Sequence, residues 1–258
     1  MPELPDLHVI AQNLRKLYID RSLLNIYLAD KAKINMEPNK YNQLLIGKKV
    51  SDISRSGKEI KISFENGHSL FLHLMREGKL SETDKGVKNI MLKLEFEENR
   101  FLVLSDFMGQ AKISLDPEPS VVPDPFSEQF TEKYLRQRLG EKKRTTIKAF
   151  LIDQDNILGI GNAYADEILW ETRLSPLTKC GDIPDSIVGV LYKNIIVVLQ
   201  TAIKKIKEAE PNIISGEIRS FLNVHNKNKM FTPTGYKILT DKIGGKITYF
   251  TEEQVLYK

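Results

Sequence analysis

The chain has 258 residues, of which 41% are apolar and 28% are charged, a balance typical of a folded protein and not of a disordered one. Its length allows one large domain or two ordinary ones. The formal net charge of +4 is compatible with a nucleic-acid partner, but many proteins without such a partner carry a similar charge. Charge alone therefore does not identify a ligand.

Cysteine and histidine content limits the metal chemistry of the chain. Cys180 is the single cysteine, which excludes an intrachain disulfide and a multi-cysteine zinc site. The four histidines lack the spacing of metal ligands, so we expect neither a metal nor a cofactor. We find no run of about 18 apolar residues and no cleavable leader, and we expect a cytoplasmic protein without a membrane partner.

The N-terminus combines an amine with a carboxyl group. The chain begins with MPELPD, so removal of Met1 would convert the Pro2 nitrogen into a secondary amine beside the Glu3 carboxylate. Such an amine attacks a carbonyl-like carbon to form an imine, while the acid supplies or removes the proton. An α-amino group, with an ordinary pKa of about 7.7 to 8.0, is partly unprotonated near neutral pH. The alternative is structural: Pro2 and Pro5 would only stiffen the start of a helix.

A change of apolar period divides the first 115 residues into a helix and a set of strands. Apolar residues recur every three or four positions from Leu7 to Tyr18, which predicts an amphipathic helix. The period then becomes two, and several strands between residues 22 and 115 predict two packed sheets with the helix against them. Alternation is clearest in three runs, Ile60 to Phe64, Leu70 to Leu74 and Ile90 to Phe96.

Asn66-Gly67 predicts a hairpin between the first two of these runs. The apolar alternation favours a three-residue loop that pairs Phe64 with Leu70 and Ile60 with Leu74. Three polar residues then gather at the far end of the hairpin: Lys58, His73 and Arg76.

Helical spacing returns after a proline-rich segment. Residues 116–126 contain four prolines and predict an extended linker. We therefore place a first domain at 1–115, a linker at 116–130 and a helical domain at 131–225. The predicted helices of that domain are Tyr134 to Leu139, Ile147 to Ile152, Ala163 to Trp170 and Ile187 to Lys207.

Two turns in the second half of the chain carry candidate ligand-binding residues. In the turn from Leu158 to Asn162, the glycines permit unusual dihedrals and Asn162 can cap the next helix, whose N-terminus offers N–H donors to a phosphate. A tight stabilising turn is the more common role of a lone Gly-x-Gly-Asn. In the predicted domain 226–258, Gly244-Gly245 suits a type I′ hairpin turn. Lys246 follows this turn, and the segment alone predicts only a lysine exposed to solvent.

Taken together, these parts resemble the formamidopyrimidine-DNA glycosylase and endonuclease VIII family of base-excision repair enzymes over the whole chain. The motifs that carry the resemblance are Pro2-Glu3-Leu4-Pro5, the Lys58 hairpin, the His73-Leu74 strand end, and Asp153-Gln154 followed by Gly159 to Glu167. The last run resembles the family's helix-two-turn-helix motif. The resemblance implies an α+β fold in which an N-terminal β-sandwich, a helical domain and a C-terminal β-hairpin finger grip bent duplex DNA.

The resemblance also implies a bifunctional DNA glycosylase and abasic-site lyase, a monomer of the bacterial cytoplasm and nucleoid. Its partner would be double-stranded DNA that contains a damaged base or an abasic site. Pro2 would attack C1′ of a flipped nucleotide, and the resulting imine would permit β- and δ-elimination of both flanking phosphates. Glu3 would be the general acid at the sugar ring oxygen, and Asp6 and Lys58 complete the implied catalytic set. The implied DNA-binding residues are His73, Arg76, Gly161, Asn162 and Lys246.

The chain departs from the family pattern in its acids, its cations and its wedge residues. Asp6 stands where the family has glutamate, and Lys246 stands where it has arginine, whose bidentate fork lysine lacks. The finger lacks the zinc-binding cysteines, which indicates a zincless hairpin held by packing. Arg76 replaces an intercalating methionine, and Gly109-Gln110 falls near the family's Arg-Phe wedge, so Arg76, Phe107 and Met108 are the candidates to fill the space left by a flipped base.

Two other functions fit parts of the sequence. A non-catalytic or weakly catalytic binder of damaged or branched DNA would account for the missing wedge residues and for Lys246. An RNA-binding role would fit the helix-two-turn-helix module, which also occurs in ribosomal proteins, but it would leave the N-terminal motif unexplained.

Overall fold

A computed structural model describes all 258 residues of the chain. The chain divides into two compact units. The first contains residues Met1–Pro119 and Ile206–Glu217, and the second contains Ser120–Lys205 and Ile218–Lys258. The fold is α+β, as predicted, whereas the predicted domain boundaries at 115, 130 and 225 remain proposals.

The first unit begins with helix α1, Leu4–Tyr18, which confirms the predicted N-terminal helix. Pro5 lies in its first turn, where a missing N–H costs nothing. Its apolar face is buried, and α1 packs against strand β3. A second helix in this unit, α2 (Pro38–Leu45), was not predicted.

Two sheets complete the first unit and share one apolar core. One sheet has the strand order β1-β7-β8-β6, and the other has the order β2-β9-β5-β4-β3. All neighbours are antiparallel except β2 and β9, which are parallel. The strands are β1 Leu23–Leu28, β2 Lys33–Ile34, β3 Val50–Ser56, β4 Glu59–Phe64, β5 Ser69–His73, β6 Lys79–Ser81, β7 Ile90–Phe96, β8 Arg100–Ser105 and β9 Lys112–Leu115.

The β4–β5 hairpin differs from the predicted pairing by two residues. Ile60 pairs with Leu72 and Ile62 with Leu70, and the amide of Phe64 bonds to the carbonyl of His68 across a three-residue loop. The predicted loop length is confirmed, but the predicted pairing is wrong. A shift of two residues keeps every side chain on its face of the sheet, so apolar alternation cannot distinguish the two registers.

The second unit is helical and ends in a hairpin, as predicted. Thr131 and Thr146 cap α3 and α4 by accepting backbone N–H groups. The helices are α3 Glu132–Glu141, α4 Ile147–Ile152, α5 Asn162–Glu171 and α6 Asp185–Ala209, whose end belongs to the first unit. Strands β10 (Leu239–Ile243) and β11 (Lys246–Phe250) form the hairpin.

By length and composition alone, α6 is long and apolar enough to cross a membrane, although polar residues interrupt its apolar run. Its buried residues recur every three or four positions, the pattern of a helix with one face on a protein core. They are Val188, Leu191, Ile195, Leu199, Ala202, Ile203 and Ile206.

Candidate active site and nucleic-acid interface

The N-terminus is held by a reciprocal capping box at the start of α1. Glu3 is the N-cap, and its side chain accepts a bond from the backbone N–H of Asp6. In return, the Asp6 carboxylate accepts the backbone N–H of Glu3 at 2.9 Å. Glu3 is 4% exposed and Asp6 is fully buried. Two orphan N–H groups are thereby satisfied, and the backbone next to Pro2 is fixed.

The state of the Pro2 nitrogen depends on Met1. While Met1 is attached, this nitrogen is part of an amide and its lone pair is delocalised, so it cannot form an imine. Once Met1 is removed, the same nitrogen is a secondary amine one residue from the Glu3 carboxyl group. Pro2 is itself buried, whereas Met1 is exposed.

A carboxylate that is distant in the sequence also contacts the N-terminus. The α-amino group of Met1 donates to Oε2 of Glu217 at 2.9 Å. The segment before Glu217 is anchored within the same unit, since Asn13 donates to the Ile213 carbonyl and Leu80 donates to the Ser215 hydroxyl. Sequence reasoning missed Glu217, because no local pattern relates residues so far apart.

Lys58 and His73 lie in one basic cluster at an end of the five-stranded sheet. Lys58 occupies the turn between β3 and β4, and His73 pairs with Lys112 of β9. Burial, with the positive charges of Lys112 and Lys58, lowers the pKa of His73 to about 4. The Met75 N–H donates to Nδ1 of His73 at 3.0 Å, so the ring proton lies on Nε2. At neutral pH His73 therefore offers a hydrogen bond and no charge, and Lys112 is a cation of this cluster that the sequence did not single out.

Arg76 and Phe107 are exposed on two loops of the first unit. The loop after β8 is fixed by Asp106, whose buried carboxylate accepts the backbone N–H groups of Met108, Gln110 and Ala111 at 2.9, 2.6 and 2.7 Å. Phe107 is 69% exposed on this loop. A large apolar side chain is thus presented to solvent on a backbone that is held in place.

In the second unit, Gly161 and not Asn162 is the N-cap of α5, so the predicted capping role of Asn162 is wrong. Asn162 is the first helical residue, and its Nδ2 donates to the Ile247 carbonyl of β11 at 2.8 Å. Its Oδ1 is buried without a hydrogen-bond partner. The side chain is used for a contact to the hairpin, which leaves one further Nδ2 proton for a ligand.

A buried charge network lies beneath Asn162. The ammonium of Lys148 donates to the Asn162 carbonyl at 2.7 Å and to Asp166 Oδ1 at 2.5 Å, and Lys148 and Asp166 are both fully buried at their side chains. Asp166 Oδ2 contacts Nδ1 of His225 at 2.6 Å and accepts the backbone N–H of Tyr249 at 3.0 Å. Helices α4 and α5 and the hairpin are therefore joined through one carboxylate.

The hairpin presents Lys246 in an exposed position. Gly244 and Gly245 have φ of +57° and +77°, and Ile243 pairs with Lys246 across them, which confirms the predicted two-residue turn. A Cβ on Gly244 would lie 3.6 Å from that of Ala149, so the turn lies close to α4. The base of the hairpin is held by Glu253, which accepts bonds from Trp170 and Thr234.

The predicted site residues thus fall into two groups, one in each unit. The first unit holds Pro2, Glu3, Asp6, Lys58, His73 and Arg76, and the second holds Gly161, Asn162 and Lys246. Within the first group, the structure pairs Glu3 with Asp6 and places Lys58 beside His73. Within the second, it joins Asn162 to the strand that begins at Lys246.

Two family sequence models match the chain. The model of the formamidopyrimidine-DNA glycosylase N-terminal domain matches residues 1–112, and the model of the formamidopyrimidine-DNA glycosylase H2TH domain matches residues 121–211. Formamidopyrimidine-DNA glycosylase of Lactiplantibacillus plantarum is 30% identical over 79% of this chain and 78% of its own length. The protein of the same name from Lactococcus lactis subsp. lactis is 28% identical over 97% of both chains.

Solved structures of formamidopyrimidine-DNA glycosylase are also similar to this chain. The complex between the Lactococcus lactis Fpg and an abasic site containing DNA has a TM-score of 0.85 and 26% identity, over 97% of this chain and 98% of that one. A complex of a variant of that protein with a Fapy-dG containing DNA has a TM-score of 0.83 at the same identity and coverage.

Proposed function

Because this chain belongs to the formamidopyrimidine-DNA glycosylase family, we propose that it attacks damaged nucleotides with the Pro2 amine, released by removal of Met1. It is a DNA glycosylase of base-excision repair with abasic-site lyase activity, and its partner is DNA that carries a damaged base or an abasic site. The observation that carries the assignment of Pro2 is the capping box, which fixes the carboxyl group of Glu3, the residue next to Pro2 in the sequence.

In the proposed mechanism the Pro2 nitrogen forms a bond to C1′ while the base leaves, and Glu3 protonates the sugar ring oxygen as the ring opens. The resulting imine acidifies the adjacent sugar carbon, which permits elimination of the flanking phosphates. Asp6 is buried and bonded to the Glu3 backbone. We therefore assign Asp6 the task of positioning Glu3 and Pro2, and not that of a second acid in contact with the substrate.

The proposed phosphate contacts come from both groups of residues. Lys58 contributes charge and His73 a neutral N–H donor, while Arg76 is exposed and available to DNA. In the second unit, the N-terminus of α5 at Gly161, the second Nδ2 proton of Asn162 and the ammonium of Lys246 are suited to phosphate oxygens. Within each unit these contacts would hold phosphates of the bound DNA.

Phe107 is our candidate for the side chain that fills the space left by the extruded nucleotide. It is the most exposed aromatic side chain of the first unit, on a loop that Asp106 fixes, and inserted apolar side chains stabilise unstacked base steps. Arg76 and Met108 would assist it. We further propose a monomer in the bacterial cytoplasm, in contact with the nucleoid, because the relatives are bacterial DNA-repair proteins.

The function is tested with matched duplexes that contain an oxidised purine, an oxidised pyrimidine, an abasic site or no lesion. Release of the damaged base and cleavage of the abasic strand are measured under single-turnover conditions. We expect cleavage at the abasic site and release of at least one damaged base. Tight binding to the same duplexes without release or cleavage would instead identify a binder of damaged DNA.

A further inference from the structure

Glu217 contacts the N-terminus although it lies 216 positions from Met1 in the sequence. Its carboxylate is 2.9 Å from the Met1 nitrogen, and its side chain is 39% exposed. The hydrogen bonds of Ile213 and Ser215 to α1 and to β6 hold the preceding segment against the first unit. Hydrogen bonds to α1 and to β6 therefore hold the chain just before Glu217 in place.

We propose that Glu217 is the carboxylate that faces the Pro2 amine after Met1 is removed, and that it compensates the positive charge of the ammonium and iminium forms. The inference rests on the proposed role of Pro2. One residue spans at most about 3.6 Å, which places the Glu217 carboxylate within about 6.5 Å of the Pro2 nitrogen. Opposite charges interact appreciably at this separation.

The charged groups of α1 and of the strands packed against it have different tasks. Glu3 and Asp6 on α1 are tied to each other through the capping box. Lys58 lies in the turn between β3 and β4, the strands against which α1 packs, and adds a positive charge on that side. Glu217 thus brings to the N-terminus a carboxylate from outside α1.

The covalent step explains why a carboxylate is useful there. The Pro2 ammonium first loses a proton to solvent, and its lone pair then forms a bond to C1′ of the abasic sugar aldehyde. The aldehyde oxygen leaves as water, which takes up the remaining amine hydrogen and one proton from solvent. The product is an iminium with one positive charge, which an adjacent carboxylate stabilises. Glu217 acts through Pro2 and is therefore a positioning residue.

The test compares Glu217→Gln with Glu217→Asp and with the control Glu210→Gln, an exposed glutamate of the same segment. Each full-length protein is checked by intact mass for loss of Met1 and by urea denaturation for stability. Strand cleavage at a preformed abasic site is then measured under single-turnover conditions from acidic to alkaline pH.

A carboxylate beside the amine favours the protonated form, so its loss should extend activity to lower pH. We expect Glu217→Gln to move the acidic limb of the profile down by about half a pH unit or more and to lower the plateau rate about tenfold. Glu217→Asp should restore the position of the limb, and Glu210→Gln should match the parent protein. If Glu217→Gln lowers the cleavage rate by the same factor at every pH, so that the acidic limb of the profile does not move, the proposal is overturned.

A failure of the Pro2 assignment is distinguished by peptide mapping of the borohydride-reduced adduct in the parent protein. If the adduct lies on Pro2 but the acidic limb of the pH profile does not move, the proposed role of Glu217 is contradicted and the assignment of Pro2 stands. An adduct on another residue contradicts the proposed function itself, and with it the role of Glu217.

Discussion

The Lys148 ammonium donates to the backbone carbonyl of Asn162 at 2.7 Å while it forms an ion pair with Asp166. One buried cation therefore fixes the start of α5, the element that carries two of the proposed phosphate contacts. The same carboxylate accepts the Tyr249 N–H of the hairpin. The geometry of the second group of site residues depends on this pair.

Replacement of Lys148 by methionine should destabilise the protein by about 3 kcal/mol or more, because it leaves the Asp166 carboxylate buried without its cation. Urea denaturation of single and double variants measures the effect. The double variant Lys148→Met/Asp166→Asn should recover most of the loss, because the buried charge is gone. A change below about 1 kcal/mol in the single variant would contradict the importance of this pair.

Replacement of Glu3 by glutamine should suppress release of a damaged base far more than cleavage at a preformed abasic site. Base release needs a proton at the sugar ring oxygen, which glutamine cannot supply, whereas the abasic sugar already opens to an aldehyde. A loss of about 100-fold or more in base release is expected. Equal losses in the two assays would refute the assignment of Glu3 as the general acid.

The protein should lose stability as the pH falls from about 6.5 to about 4, because the pKa of His73 is lowered to about 4 in the folded chain. In this window the unfolded chain binds a proton that the folded chain does not, so the unfolded state is favoured. Above and below it the contribution of His73 is constant. The full effect corresponds to about 3 kcal/mol.

Urea denaturation across this pH range measures the His73 effect. His73→Gln should show a shallower loss than the parent protein. His68→Gln, which replaces a histidine that contacts Asp116 and not His73 or Lys58, should retain the loss. Identical pH dependence of the parent and His73→Gln would show that the histidine is not held neutral by its surroundings.

Local patterns predicted those parts of the fold that local interactions determine. Helix α4 was predicted at its observed bounds, and the Gly244-Gly245 turn was identified because a type I′ turn requires positive φ at both positions. The predicted β4–β5 register was wrong by two residues, because a shift of two residues leaves the same side chains buried and the apolar pattern cannot detect it. Helix α2 was missed because only Tyr41 and Leu45 are buried in its eight residues, too few to show a period.

The site was predictable to the extent that its residues belong to motifs. Pro2, Glu3, Asp6 and Lys58 were found in this way, but the residues that hold other parts of the site through side-chain contacts were not assigned that role. Asp106 holds a loop through backbone N–H groups, and the contact between Asp166 and His225 joins residues 59 positions apart. Such partners are specified by tertiary packing, and no spacing in the sequence reveals them.

Removal of the Lys246 charge should weaken binding to all duplexes by a similar factor. If its ammonium contacts a phosphate, Lys246→Ala should reduce the slope of log K against log salt by about one ion. His73→Gln is the matched comparison: its affinity should fall without a change of slope, because His73 is neutral at this pH. A loss confined to damaged duplexes would argue against a phosphate contact for Lys246.

The identity of the nucleophile is the central claim, and the location of the covalent adduct tests it most directly. Protein purified from its native host is incubated with an abasic duplex, reduced with borohydride, digested and mapped by mass spectrometry. We predict an intact mass lower by one methionine before the reaction and an adduct on the Pro2 nitrogen afterwards, with no adduct in any fraction that retains Met1. Cleavage by protein that retains Met1, with an adduct on Lys58 or another amine, would contradict the account.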